Sequence, residues 1–246
     1  MNILIWFSEA FSHYFSLFLL RYYSRNHDVF FICGPPRSGT SWISDVLALY
    51  HNLPRPKHYR LPILFESVIH THVVLNPKVY KGVVFVVRDG RNAYLSLYRL
   101  IQKEILSNKK SIRRRKYLRA FLDVSSEINT SHNVLVLMKM DANRHTSIFN
   151  IYKKISVLSK SCNTPLIKYE DAICDPIKIF SECIESISGS CDKDRLVQVV
   201  KFLSKQEQFK ISDQRRSTTI NKTPSEWEGI LDDATIDFYN KRMHVD

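Results

Sequence analysis

Two rhythms of apolar residues run along this chain. The first is the short unbroken run, seen in Val29-Phe30-Phe31-Ile32-Cys33, Gly82-Val83-Val84-Phe85-Val86-Val87 and Pro165-Leu166-Ile167-Lys168. Runs of this length, rich in Val, Ile and Phe and bounded by turn residues, read as strands buried on both faces of a parallel sheet. Residues 65–74 have strand-like composition too, and 133–140, with Val134-Leu135-Val136-Leu137 unbroken, read as a further strand. The second rhythm places apolar residues three or four apart: Trp42, Ile43, Val46, Leu47, Leu49 and Tyr50, then the segments 91–99, 147–161, 176–188 and 192–204. That spacing predicts helices with one buried face. Strands alternating with helices predict a three-layer α/β domain around a central parallel sheet, with any ligand lying across the carboxyl ends of the strands.

Residues 3–20 stand apart from this alternation. Ile3, Leu4, Phe7, Phe11, Phe15, Phe18 and Leu19 fall near one helical face, while Glu9, His13 and several serines interrupt it. A spanning helix needs about 20 predominantly apolar residues and tolerates a buried carboxylate poorly. An amphipathic helix is expected instead, lying on the domain or on a membrane surface. The chain therefore divides into an N-terminal helix, 1–28, and one domain, 29–246. The first strand begins eight residues after Arg21, too soon for the stem of an anchored enzyme, and a cytoplasmic location with peripheral membrane contact through 3–20 as an open alternative is expected.

Charge narrows the partners without choosing among them. Against 24 Asp and Glu stand 36 Lys and Arg, a net +12, which favours a nucleotide, a nucleic acid or an anionic membrane. The densest basic run, 109–119, has the look of a solvated helix face, with a cap that attracts an acidic acceptor as the functional alternative; no nucleic-acid module accompanies it, so no nucleic-acid partner is expected. Five cysteines without CxxC spacing or clustered histidines imply neither a disulfide framework nor a zinc site.

The chemistry concentrates where the first apolar run breaks. Gly34-Pro35-Pro36-Arg37-Ser38-Gly39-Thr40-Ser41-Trp42 passes from a strand straight into a helical pattern, which is how a strand–loop–helix phosphate cradle reads. Gly34 and Gly39 let the backbone approach an anion, the first amides of the helix point at it, and Thr40 and Ser41 add hydroxyls. In a nucleoside-triphosphate loop a lysine follows the last glycine; here that place is held by Thr40 and the basic residue is Arg37. Nothing at the usual position would reach β- and γ-phosphates, which argues against ATP or GTP hydrolysis. Farther on, Arg88 ends an apolar run and Ser96 follows eight positions later inside a helical pattern, a spacing that lets both converge on one phosphate.

These motifs resemble the sulfotransferase family, whose loop reads roughly Pro-Lys/Arg-Ser-Gly-Thr-Thr/Ser-Trp; residues 36–42, Pro36, Arg37, Ser38, Gly39, Thr40, Ser41 and Trp42, match it position for position. The resemblance covers roughly residues 29–240. It implies a P-loop-like three-layer fold, 3′-phosphoadenosine 5′-phosphosulfate (PAPS) as donor, its desulfated product PAP, no metal, and a hydroxyl acceptor, expected to be a carbohydrate or glycolipid. Arg37 and the cradle would hold the 5′-phosphosulfate and stabilise charge on the transferring group. Arg88 and Ser96 would hold the 3′-phosphate, and Tyr169, in Tyr169-Glu170-Asp171-Ala172, would contact the adenine. His70-Thr71-His72 is similar to the Lys-Thr-His that carries the family's catalytic base, which nominates His72; branches that use a glutamate from this region make Glu66 its competitor. Trp227 fits the end of the closing segment, where Lys222 would touch the 3′-phosphate and Phe209 the adenine, although the Arg-Lys-Gly triplet of cytosolic members is missing. Two other readings stay open: a P-loop small-molecule kinase, and a nucleotide-binding or membrane-surface protein without catalysis.

Overall fold

The computed structural model describes residues 12, 15, 16, 18–56, 65–107, 117, 120–203 and 225–244. Four strands, β1 (Val29–Cys33), β2 (Ser67–Thr71), β3 (Val83–Val87) and β4 (Leu166–Lys168), form one sheet in the order β2-β1-β3-β4, and every pairing is parallel. The chain leaves β1 towards one side of the sheet and, after β2, returns to the other side for β3. This reversal opens a crevice beyond the carboxyl ends of β1 and β3, the place where ligands of open α/β sheets bind. The register brings the strand ends level, with Cys33 opposite both Thr71 and Phe85, and Val87 opposite Lys168.

Alternation along the strands builds the layers. Phe30 and Ile32 of β1, with Val68, Val84, Val86 and Ile167, face α1 (Thr40–His51), α5 (Tyr169–Cys174), α6 (Pro176–Ser188) and α7 (Lys193–Phe202), where Trp42, Val46, Leu47, Phe180, Ile184 and Leu196 close the core. Val29, Phe31 and Cys33, with Ile69, Val83 and Phe85, point the other way, onto Ile151 and Ile155 of α4 (Ile148–Cys162) and onto Leu20. Successive strand side chains take opposite faces, so one apolar run serves two cores. A third cluster joins α2 (Gly90–Leu106), α3 (Thr130–Ala142), α4 and α8 (Asp233–His244) through Tyr94, Tyr98, Leu137, Met138, Phe149 and Tyr239.

The three-layer parallel α/β architecture is the one expected, but 133–140 is a helix, not a strand. Its buried residues Val134, Leu137, Met138 and Asp141 are spaced three and four apart, with Ser131 and Asn133 buried beside them, while Leu135 and Val136 are only partly covered. The β-favouring composition yields to a long buried face packed on α2 and α8, because strand propensity is mainly a matter of context. Asp141 locks this helix from within: it accepts the Tyr94 hydroxyl proton at 2.8 Å and the Ile148 amide at 2.8 Å. Of 65–74 only Ser67–Thr71 is strand, so His72 lies just beyond it. The N-terminal segment is helical at 18–23, and among the described residues no helix is long and apolar enough to cross a membrane.

Phe85 sits in the middle of the sheet with no exposed surface. Replacing it by Ala should lower unfolding free energy by about 3–5 kcal/mol, measured as a lower denaturation midpoint at unchanged slope. A loss below about 1 kcal/mol would mean that β3 is not at the centre of the core.

Candidate active site

Every strand hands its next residue to the same edge of the sheet. Gly34 follows β1, His72 follows β2 by one residue, Arg88 follows β3 and Tyr169 follows β4. The loop between β1 and α1 is shaped by two close approaches. A Cβ on Gly34 would stand 2.6 Å from the Val86 carbonyl oxygen, and one on Gly39 would stand 2.2 Å from the Tyr169 ring. Gly39 is also left-handed, at φ 86°, and serves as the N-cap of α1 with no side chain capping the first turn. Amides at such an end carry partial positive charge and lack intrahelical acceptors. Arg37 is left-handed as well, at φ 69°, a conformation that costs a non-glycine residue about 1–2 kcal/mol and marks a strained, over-determined loop.

Not every residue of the matching motif faces outwards. Ser38 is fully buried, and both its amide and its hydroxyl donate to the Pro35 carbonyl, so it shapes the loop. Trp42 packs edge-on against Tyr169 and Phe180 in the core. Thr40 is buried beside Gly34, while Ser41 and Pro36 are partly covered and Arg37 is exposed.

Arg37 stands between Arg88 and Ser96 and bonds to both. Arg37 Nε donates to Ser96 Oγ at 3.0 Å, and Arg88 Nη1 donates to the Arg37 carbonyl at 3.1 Å. The Arg88 guanidinium lies 4.7 Å from the Tyr169 ring centroid, a cation–π contact, and the residue is buried. Its Nε has no hydrogen-bond partner among the described residues. A buried donor left unmatched is costly, and an anion oxygen would satisfy it.

Sequence reasoning missed the support beneath Arg88. Tyr152, from α4, accepts the Arg88 amide at 3.2 Å and donates to the Arg88 carbonyl, so one phenol fixes both backbone groups. Burial and the nearby Tyr239 push its phenol well above the ordinary range, which keeps it a donor. No local motif announces this, since Tyr152 stands 64 residues away. Next to Arg88, the Asp89 amide donates to Glu170 Oε1 at 2.9 Å, and the Asp89 carboxylate takes both Arg91 and, at 3.1 Å, Trp227 Nε1. Arg91 stacks 3.8 Å over the Trp227 ring, and the Trp227 amide donates to Asn92 at 3.2 Å. Trp227 is thus fixed beside the start of α2; Lys222 and Phe209, expected before it, lie outside the described residues, as does most of the basic run 109–119.

The two candidate bases are at opposite ends of β2. His72 Nδ1 is 2.8 Å from the Gly34 carbonyl oxygen. A carbonyl only accepts, so Nδ1 carries the proton and Nε2 is left with a lone pair. Crowding by protein atoms lowers the imidazole below its usual value, partly offset by the Gly34 bond. His72 is nonetheless exposed, which moderates that lowering. Glu66 precedes the strand, half exposed and 3.9 Å from His27, about 20 Å along β2 from His72.

No protein-family model and no curated protein matches the chain. Among solved structures it is similar to mouse sulfotransferase SULT7A1 complexed with PAP, with a TM-score of 0.67 and 14% sequence identity over 96% of this chain and 90% of that one. The chain has a sulfotransferase fold.

Two glycines separate backbone strain from close packing. Gly189 is left-handed at φ 82° with nothing within 4 Å of an added Cβ, whereas Gly39 combines φ 86° with the Tyr169 ring. Gly189→Ala should cost about 1–2 kcal/mol in chemical denaturation, and Gly39→Ala distinctly more. Equal losses would show that Tyr169 yields and does not clamp the loop.

Proposed function

We propose that this chain is a sulfotransferase, moving a sulfuryl group from PAPS to an acceptor hydroxyl, with carbohydrates and glycolipids as the acceptor class. The observation that carries the reading is the convergence, at one sheet edge, of an uncapped helix N-terminus, the tethered Arg37 and the buried Arg88 with its unmatched Nε. Such a set suits a ligand with two separate phosphate-like groups. The cradle amides and Arg37 would take one, and Arg88 with Ser96 the other. Tyr169, whose ring closes on Gly39, would border the base.

The donor supplies an activated sulfur whose bond to the phosphate oxygen breaks as the acceptor oxygen bonds to it. His72 takes the acceptor's proton on Nε2, and the bond from Nδ1 to Gly34 holds the tautomer that can do so. Arg37 and the α1 amides balance negative charge growing on the transferring group and on the departing phosphate.

Isothermal calorimetry with PAP tests the ligand directly. Arg88→Ala should weaken binding by about 1.5–3 kcal/mol; absence of binding by the wild type, or tighter binding of ATP with magnesium, would overturn the assignment. For the chemical step, ³⁵S-labelled donor and a carbohydrate and glycolipid panel give the turnover assay. Arg37→Ala should lower kcat by roughly 10²–10³-fold while PAP binding changes less. His72 must be neutral to act, and its pKa is lowered, so the rate should fall on the acid side with its midpoint below about pH 6.5. His72→Ala should lower the rate by about 10²–10⁴-fold and abolish that acid limb. A His72→Ala enzyme within a few-fold of wild type would remove His72 from the base's role.

A further inference from the structure

The N-terminal helix presents two opposed faces. Ser16, Leu20 and Ser24 are fully buried, and Leu20 joins the core beneath β1, so this face docks on the domain. On the far side Phe15, Phe18 and Tyr22 are exposed by 42%, 51% and 52%. At about 100° per residue these three rings share an arc of about 60°. The charges nearest the stripe are cationic: the Arg21 and Arg25 guanidiniums each lie 5.7 Å from the Tyr22 ring centroid.

We propose that this aromatic face is a docking surface for an anionic lipid bilayer, with the helix lying in the plane of the interface and the domain behind it. Phe and Tyr suit the headgroup boundary, where a ring can be buried while a hydroxyl or guanidinium stays hydrated. The exposed Arg25, beside the half-buried Arg21, supplies complementary charge for lipid phosphates, and the domain's net +12 adds long-range attraction. A narrow stripe, about 10 Å from Phe15 to Tyr22, is matched by a flat fluid surface without any shape of its own. Nothing in this surface depends on the chemistry proposed above, since its residues lie outside the cradle.

Sedimentation of the full chain with vesicles tests it, using phosphatidylcholine alone and phosphatidylcholine mixed with phosphatidylglycerol. Binding is expected to the anionic vesicles, weaker by about tenfold or more for Phe18→Ser/Tyr22→Ser and for Arg21→Gln/Arg25→Gln. The first double variant changes only exposed rings, and unchanged far-ultraviolet circular dichroism and PAP titration would show the domain intact. Lack of binding to anionic vesicles overturns the proposal. So does equal binding to neutral vesicles, or a wild-type dimer in analytical ultracentrifugation that Phe18→Ser/Tyr22→Ser dissociates.

Discussion

Parallel pairing of β1 with both of its neighbours is the constraint on which the rest depends. Parallel strands all end on the same side, so Gly34, His72, Arg88 and Tyr169 arrive together although they span 135 residues of sequence, from 34 to 169. The reversal of chain direction around β1 then leaves the crevice open exactly where those residues emerge, and glycine at 34 lets the loop turn against Val86 without filling it. An extra methyl group there would push the cradle away from β3, and with it the carbonyl of Arg37 that Arg88 holds.

Electrostatics at this edge is arranged in two tiers. Arg37 and Arg88 border the cradle, tied to Ser96 and to the Arg37 carbonyl, and the neighbouring carboxylates are engaged elsewhere. Asp89 is committed to Arg91 and Trp227, and Glu170 to the Asp89 amide. Carboxylates free to swing towards the cradle would neutralise its arginines and repel an anion. Engaged in this way, they act as brackets that hold α2, α5 and the segment at Trp227 to one another. The burial of Arg88 is tolerable on the same terms: its aromatic neighbour Tyr169 and the Arg37 carbonyl cover part of the guanidinium, and under the proposed function the donor's anion would supply the remainder.

The legible part of this site is the part made of local constraints. Gly34 and Gly39 are dictated by backbone approach, and apolar runs that serve two cores leave no choice about burial, so β1, β3 and the helix starting at Thr40 stand out in the sequence. Arg88 and Ser96 could be paired because a strand end and the following helix fix their separation. Residues 133–140 read as a strand in the sequence because Val-Leu-Val-Leu satisfies the local pattern, and only the packing of the helix Thr130–Ala142 on α2 and α8 decides otherwise. Tyr152 was not legible at all. A tyrosine in a helical run looks like core until β3 is laid beside α4, and its hydroxyl acts on backbone atoms, which no side-chain pattern records.

The same long-range logic separates His72 from Glu66. Both belong to one short stretch of strand-like sequence, and composition offers no preference between them. What distinguishes them is direction: a parallel strand has one functional end, and β2 runs from Glu66 towards Thr71. His72 also gains what a base requires beyond position, a defined tautomer, and the donor to that tautomer's bond is set against Gly34, the glycine that turns the cradle. The loop that would hold the donor and the imidazole that would take the proton are therefore one mechanical unit. A shift of the Gly34 peptide would move the loop and release the His72 ring together, so under the proposed function anion binding and base orientation would be coupled through a single carbonyl group.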